Sequence, residues 1–378
     1  MVMKEKAFVY PYDVEFAPLL RHKDFLKDIE IIGLVAPSGW VRQGEDACYS
    51  DNGLVIGMDV TNDFNCFMDK CDTLIILESN ISLDIEKFIY PKINLAIEAC
   101  KNIICLLSMD EDLREEIEKK CIEKGVYFKY YGALESSNTI NNINRYKSIQ
   151  DLNSIVVFSL GVGERVHKFQ TQLDIRARFL DMGYKVSQVG SRKYSGLLGL
   201  HPFPTFMYDS CINEYEKILL FNNYIKDIED KEKPDIIIIG VPGGIMRFNN
   251  KFTNRFGILA YEVAQAIRPD VTILNVLYED YYPDFFVSLS NSIKYKLGFE
   301  VDCFTLANIK FDWEKSKESE HIVYSTFDSK FIDRKISKYS ELSTPVFNTL
   351  DFQDSCKMVD YLVNKLSCNE NVKSNLNL

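Results

Sequence analysis

Hydrophobic and polar positions alternate along the chain in a pattern that is typical of parallel α/β proteins. Short apolar runs such as "IEIIGLVAP" and "DTLIILES" are bounded by Pro, Gly, Ser or Asp. The segments between them have helical character, as in "DEDLREEIEKKCIEKG", with acids early, lysines late and a closing glycine. Buried strands that alternate with such helices predict a parallel sheet covered on both faces. The first third of the chain is therefore predicted to be a Rossmann-like domain.

A second alternation begins with "SIVVFSL" and continues through "YKVSQVGS", "DIIIIGV" and "VTILNVL". Between the two series, residues 132–153 are rich in Asn and Ser and lack a long apolar run, which is the composition of a linker. We predict an α/β protein with a Rossmann-like domain at 1–131, that linker, a phosphate-loop NTPase-like α/β domain at 154–367, and a polar tail at 368–378.

The length of the chain bears on the number of domains, and its net charge bears on the kinds of partner. At 378 residues the chain exceeds what one core usually organises, which favours two domains. The net charge of -11 argues against nucleic acid or an anionic membrane as partners, since both need a concentrated basic face. The first residues lack the apolar run of a signal peptide, so a cytoplasmic location is expected. Cys66 and Cys71 have no matching second pair, and no metal site is predicted.

The segment "VVFSLGVGERVHKFQTQL" reads as a strand, a glycine turn and a helix, which is the arrangement that cradles phosphate in many proteins. Gly161 and Gly163 permit the turn. Three cations, predicted in the first turns of the helix, could fold back over an anion: Arg165, His167 and Lys168.

The phosphate-loop pattern G-x-x-x-x-G-K-[ST] fits this turn poorly. With Gly163 as its second glycine, Phe158 falls at the first glycine, Glu164 at the lysine and Arg165 at the hydroxyl residue. A carboxylate would repel a triphosphate there, and the usual magnesium ligand is missing. Two interpretations stay open: a turn that still binds phosphate or a nucleotide, and a turn now used for packing or partner contacts.

A second glycine segment, "PDIIIIGVPGGIMRFNNKF", follows a later strand. Phosphate-loop proteins place an acid at the end of such a strand, but here the strand ends in Gly240, and Asp235 stands at its start. Gly243 and Gly244 with Arg247 could form a pocket at the carboxyl edge of the sheet, opposite the first turn. The alternative is a mobile surface loop.

A third segment, "VGSRKYSGLLGLHPFPTFMYD", is a long loop with basic and aromatic residues. Such loops after a sheet strand often bind partners or act as lids, although plain packing is an equal alternative. The residues of interest are Arg192, Lys193, Tyr194, His201 and Phe203. No partner for His201 is identifiable, which favours a structural role. No G-x-G-x-x-G fingerprint is present, so a dinucleotide has weak support.

With these segments in view, the chain resembles a clostridial family of peptide maturation system proteins, found beside radical SAM genes in natural-product peptide clusters. The residues that carry the likeness are "SGWVRQGEDACYSDNGLVIGMDVT", the segment from "FSLGVGERVHKF" to "VSQVGSR", and the segment from "PDIIIIGVPGGIMRF" to "VAQAIRPD". The architecture also looks like uncharacterised proteins with a Rossmann-like first domain and a second domain of the dethiobiotin-synthetase type. In that group a lysine follows the last glycine of the turn, where this chain has Glu164.

The resemblance implies an accessory protein in the maturation of a ribosomally made peptide, one that binds a ligand or partner without ordinary ATP hydrolysis. Nucleotide or phosphate is the expected ligand class. A nucleotide-dependent ligase or kinase-like enzyme is one alternative, in which Arg165 or Lys168 replaces the missing lysine. A scaffold that holds the precursor peptide or the radical SAM enzyme is the other.

Overall fold

A computed structural model gives the fold as two compact units. Contacts assign residues 1–134 and 193–199 to the first unit, and 135–192 and 200–378 to the second. The residues that the structure describes are 3–79, 81, 83–132, 147–319 and 322–373, with the backbone alone for 319 and 368–373. Within them, no helix combines the length and apolar character that crossing a lipid bilayer requires.

The first unit is a six-stranded parallel sheet with helices. Its strands are β1 (Glu5–Tyr10), β2 (Ile29–Val35), β3 (Val60–Thr61), β4 (Thr73–Ile76), β5 (Asn102–Cys105) and β6 (Phe128–Tyr130), and its helices are α1 (Ala17–Arg21), α2 (Tyr90–Glu98) and α3 (Glu111–Lys124). The strand order is β3-β2-β1-β4-β5-β6, and every neighbouring pair is parallel. This order is the one found in Rossmann folds.

Apolar periodicity explains how these elements pack. The strand residues Phe8 and Ile103 and the helix residues Ile93 and Ile117 are all fully buried in one core cluster. Helix α3 ends where the sequence predicts, because Gly125 adopts a left-handed conformation with φ of 71°.

The second unit is a seven-stranded parallel sheet with a separate two-stranded antiparallel sheet. Its strands are β7 (Ile155–Gly161), β8 (Val186–Gly190), β9 (His201–Pro202), β10 (Ile236–Gly240), β11 (Val271–Val276), β12 (Cys303–Leu306), β13 (Ile309–Phe311), β14 (Tyr324–Thr326) and β15 (Val346–Phe347). Its helices are α4 (Lys168–Asp181), α5 (Glu214–Glu232), α6 (Ile258–Ala266), α7 (Pro283–Leu297), α8 (Trp313–Ser319), α9 (Lys330–Ile336) and α10 (Phe352–Lys373). The sheet order is β15-β12-β11-β7-β10-β8-β9, and β13 pairs with β14.

Burial on both faces of this sheet explains its continuous apolar runs. In β10, Ile237 and Ile239 belong to one core cluster, while Ile236 and Ile238 belong to the cluster on the opposite face. A strand that is covered on both sides has no solvent-facing position to fill with a polar residue.

The predicted fold class, two α/β domains with parallel sheets, is confirmed. The sequence predicted that strand β7 ends at Phe158, but the strand extends to Gly161. Helix α10 continues through Lys373, into the segment predicted to be a polar tail. Most of the predicted linker, residues 133–146, and the last residues, 374–378, lie outside the described part of the chain.

Candidate functional site

The glycine turn of the second unit joins the central strand β7 to helix α4. Arg165 and His167 have positive φ angles of 54° and 58°, in the left-handed region that residues with a Cβ seldom adopt. These two reversals delay the start of the helix until Lys168. Lys168 is only 8% exposed, and its ammonium group donates a hydrogen bond to the carbonyl oxygen of Gly243.

This geometry corrects the register that the sequence pattern suggested. Lys168 is the first residue of the helix that follows the turn, which is where a phosphate-loop lysine stands. Glu164 lies in the middle of the turn and is exposed, so it does not occupy the lysine position. In the corrected register His167 replaces the last glycine and Phe169 replaces the hydroxyl residue. Arg165 and His167 precede the helix instead of lying in its first turns.

The backbone of the turn presents hydrogen-bond donors. The N–H groups of Gly163, Glu164 and Val166 donate to no acceptor in the part of the chain that the structure describes. Val166 is buried, and buried N–H groups in folded proteins nearly always have a partner. An anion in the turn would accept from these groups and from the Lys168 ammonium.

The two glycine segments of the second unit meet at this turn. The N–H of Ile245 donates to the carbonyl of Gly161 at 3.0 Å. A Cβ on Gly244 would lie 2.7 Å from the carbonyl oxygen of Val162 and 2.8 Å from the Cα of Gly163, so only glycine allows this approach. The structure thus brings together five of the predicted site residues: Gly161, Gly163, Lys168, Gly243 and Gly244.

The other predicted cations point to different partners. The guanidinium of Arg165 lies 5.4 Å from the centre of the Tyr324 ring. Nε2 of His167 donates to Oδ1 of Asn308 at 2.6 Å. Arg247 is exposed on the second glycine segment. The Lys168 ammonium, by contrast, bonds to the second glycine segment at the Gly243 carbonyl.

A buried polar network lies beneath the turn, and sequence reasoning missed it. Oδ1 of Asn275 accepts hydrogen bonds from the hydroxyls of Thr171 and Thr305, both at 2.7 Å. Its Nδ2 donates to the carbonyl of Leu160 at 2.6 Å. The network joins β7, β11, β12 and α4 next to the turn. Its sequence signal is the single asparagine inside the apolar run "VTILNVL".

A left-handed turn supports the second glycine segment. Asn254, Arg255 and Phe256 have φ angles of 48°, 49° and 56°, and helix α6 begins shortly after them. The Asn254 amide donates to the carbonyls of Val162 and Met246 at 3.3 and 2.9 Å. Strain of this kind persists only where surrounding contacts impose it, and here it keeps the two segments together.

Lys296, on helix α7, contacts both the second glycine segment and the left-handed turn. Its ammonium donates to the carbonyls of Ile245 and Phe256 at 2.8 and 3.2 Å. Burial lowers the pKa of Lys296. Its two bonds fix the second glycine segment against the left-handed turn.

The loop predicted to bind partners is largely packed. Lys193 bonds to the Glu78 carboxylate, and Tyr194 is buried and donates to the Glu15 carbonyl, all within the first unit. Arg192, which precedes them, is partly buried. In the second unit, Phe203 is buried in the core, and His201 bonds to Glu232 at 2.7 Å, a partner that the sequence did not reveal.

The first unit lacks the phosphate turn of a dinucleotide-binding domain. Strand β1 is followed by "PYDVEF", which contains no glycine. A cavity of about 240 Å³ lies at the carboxyl ends of β2 and β3 and is lined only by uncharged residues, among them Ser38, Gln43, Thr61 and Asn62. Neither feature provides the glycine-rich turn at a helix N-terminus that binds the pyrophosphate in dinucleotide-binding domains.

Metal ligands are scarce around the turn. Among the residues described, no three His, Cys, Asp or Glu side chains gather closely enough to hold a metal ion. Strand β10, beside β7, ends in Gly240, and the Asp235 carboxylate at its other end accepts from the N–H of Lys185 at 2.7 Å. Strand β10 therefore brings no carboxylate to the turn from its carboxyl end.

Comparison with known proteins gives a likeness of fold. No protein-family model and no curated protein sequence matches the chain. A DUF1611 family protein from Anabaena variabilis superposes with a TM-score of 0.60, over 96% of this chain and 100% of that one, at 11% sequence identity. At this identity the likeness shows the two-unit α/β fold.

Two dehydrogenase structures match smaller parts of the chain. Amine dehydrogenase from Mycobacterium smegmatis has a TM-score of 0.29 at 16% identity, and covers 39% of this chain and 46% of its own. Homoserine dehydrogenase from S. aureus has a TM-score of 0.28 at 14% identity, and covers 37% and 39%. These scores are too low to bear on function.

Proposed function

We propose that the second unit binds a phosphate-bearing ligand at the turn 161–168, and that this binding serves the maturation of a ribosomally made peptide without ordinary ATP hydrolysis. The main support for a phosphate-bearing ligand at this turn is the position of Lys168. It is the first residue of the helix after the turn, it is buried, and its ammonium donates to the Gly243 carbonyl on the second glycine segment. The N-terminus of that helix favours an anion.

Two features support binding without ordinary hydrolysis. Phe169 follows the lysine where a hydroxyl would hold Mg²⁺, and Gly240 ends the neighbouring strand where an acid would organise metal and water. The alternative is a nucleotide-dependent ligase. Lys168 could serve as its phosphate-binding cation, but the hydroxyl and the acid that would organise Mg²⁺ are both missing from these positions.

The role in peptide maturation rests on the sequence resemblance. The scaffold alternative needs an exposed loop for the precursor peptide or the radical SAM enzyme, and Tyr194 and Phe203 of the predicted loop are buried. Tyr208, at the end of that loop, is 45% exposed. The packing of the loop thus favours the ligand-binding proposal over the scaffold.

Thermal melting tests the ligand. We expect inorganic phosphate, AMP or ATP to raise the melting temperature of the full chain, since a ligand at roughly 100 times its Kd adds about 2.7 kcal/mol of stability. Lys168→Met keeps the side-chain length and removes the charge, and should abolish the shift. Lys294→Met, which removes an exposed lysine paired with Glu300, should leave it unchanged. A shift that survives in Lys168→Met would exclude this turn as the site.

Copurification tests the role in maturation. The tagged full chain should retain the precursor peptide or the radical SAM enzyme when they are expressed together, and the purified partner should bind at micromolar concentration. Absence of binding to both would count against a role in maturation, while the ligand proposal would stand on the melting result alone.

A further inference from the structure

We infer that the turn binds a single phosphoryl group as a dianion, either free phosphate or a small phosphate monoester, without a divalent metal. This inference rests on the proposed function and names the ligand class for the same site. It contrasts with the magnesium nucleoside triphosphate that ordinary phosphate loops take.

The first argument is that the positions for the metal ligands are filled. Phe169 is 3% exposed and packs in the core, where a phosphate loop has a Ser or Thr that binds Mg²⁺. At Gly240 any Cβ would lie 2.1 Å from Oε1 of Gln172. Gln172 is itself fully buried, and its Nε2 donates to the Ser191 hydroxyl at 2.9 Å. A carboxylate therefore has no room at the end of β10.

The strand on the other side of β7 supplies no metal ligand either. Strand β11 places Asn275 beside Gly161. The Asn275 amide is already committed to the carbonyl of Leu160 and to the hydroxyls of Thr171 and Thr305. The two strands that flank β7 thus place uncharged residues, Gly240 and Asn275, beside the turn, and the acids that follow β11, Glu279 and Asp280, are paired with Lys310 and Lys335.

The second argument is charge. The turn has four donors, the Lys168 ammonium and the N–H groups of Gly163, Glu164 and Val166, a number that one phosphoryl group can satisfy. A phosphate monoester carries about two negative charges at neutral pH. A triphosphate carries more and depends on Mg²⁺ to neutralise them. The Glu164 carboxylate, the one acid within 161–168, adds repulsion that grows with each further phosphate.

Calorimetric titration of the full chain tests the inference. Inorganic phosphate, AMP and ATP are each titrated in EDTA and in excess Mg²⁺. We expect phosphate or AMP to bind with a Kd that changes less than twofold between the two buffers, and ATP in EDTA to bind at least tenfold more weakly. AMP that binds more tightly than phosphate identifies a monoester, and equal affinity identifies free phosphate as sufficient.

A second variant separates the two roles that Glu164 can have. If no metal binds, Glu164→Gln removes repulsion and should tighten AMP binding by about two- to fivefold. If Glu164 is a magnesium ligand, the same change should weaken Mg-ATP binding. Glu314→Gln, an exposed acid on helix α8, is the matched control and should alter neither affinity.

The possible failures are distinguishable. ATP binding that strengthens tenfold or more with Mg²⁺, and that Glu164→Gln weakens, would overturn the metal-free inference and leave the proposed phosphate site in place. If phosphate, AMP and ATP all fail to bind in both buffers, the inference and the proposed ligand-binding function fail together.

Discussion

Single residues determine how closely the two glycine segments of the second unit approach each other. Gly243 and Gly244 are neighbours with different constraints. Gly243 has a φ of 75° and open space where a Cβ would stand, whereas Gly244 is crowded by the backbone of the first turn. The pair separates the effect of backbone strain from the effect of steric contact.

We expect Gly244→Ala to destabilise the second unit by about 3 kcal/mol, because backbone atoms cannot move aside as a side chain can. Gly243→Ala should cost only about 1 kcal/mol, since it suffers strain without a clash. The chain has one tryptophan in each unit, Trp40 and Trp313. Urea unfolding of Trp40→Phe variants, followed by Trp313 fluorescence, reports on the second unit alone. If the two variants lose the same free energy of unfolding, the close contact between Gly244 and the first turn does not exist as described.

Aspartate 46 links the stability of the first unit to pH. Partial burial acts to raise its pKa, but hydrogen bonds from Cys48, Ile56 and Gly57 outweigh this and lower the pKa to about 2. A depressed pKa contributes stability that is present above the ordinary value near 3.8 and is lost as the pH falls toward 2. The ionised carboxylate thus stabilises the loop 46–58 at neutral pH.

The corresponding prediction uses Asp46→Asn. The variant should lower the urea midpoint of the first unit at pH 7, and the difference from the parent should shrink as the pH falls from 4 to 2. Trp40 fluorescence in a Trp313→Phe background is the measurement. A difference that stays constant with pH would mean that shape, and not charge, accounts for the role of Asp46.

At the scale of elements, the Asn275 network fixes the position of helix α4 relative to β7, β11 and β12. Asn275→Ala removes the acceptor of the Thr305 hydroxyl, the nearer of two acceptors of the Thr171 hydroxyl and a donor to the Leu160 carbonyl, and should cost about 3 kcal/mol. Thr305→Val removes one of the same bonds and should cost about 1 kcal/mol. Both variants should be measured by urea unfolding with Trp313 as the probe. If Asn275→Ala costs no more than Thr305→Val, the network does not act as a unit.

The sequence predicted most elements because local patterns specify them. The run "DIIIIGV" indicates a strand buried on both faces, and the capped pattern before Gly125 indicates helix α3. It did not predict the register of Lys168, because the loop reaches that lysine only when Arg165 and His167 adopt left-handed angles that intrinsic preference opposes. Contacts with Gly243, Asn254 and Asn308 favour those angles, and such contacts are visible only in the folded chain.

At the scale of the whole molecule, the two units are not consecutive segments of the chain. After β8 of the second unit, residues 193–199 belong to the first unit, and the chain then returns to form β9. The Tyr194 ring lies 5.4 Å from that of Phe16, and its hydroxyl donates to the Glu15 carbonyl at 2.5 Å. A residue between two strands of the second unit thus completes the core of the first.

We therefore expect Tyr194→Ala to destabilise the first unit by about 3 kcal/mol, as loss of a buried aromatic usually does. Hydrogen exchange should accelerate in α1 and β1 and stay unchanged in β8 and β10. Phe203→Ala, nine positions later and in the core of the second unit, should give the opposite pattern. Acceleration in both units for Tyr194→Ala would show that they unfold together.

Residues 193–199, which belong to the first unit although they lie within the sequence of the second, limit how a gene for this protein can be recombined. A crossover in the Asn- and Ser-rich stretch between the two sheets would exchange the first unit for a foreign one, yet the codons for 193–199 would remain with the second. The hybrid would carry Tyr194 and Leu198, both buried in the native protein, without the surface that they evolved to cover. A well-packed hybrid would therefore need residues 193–199 to be exchanged together with the first unit.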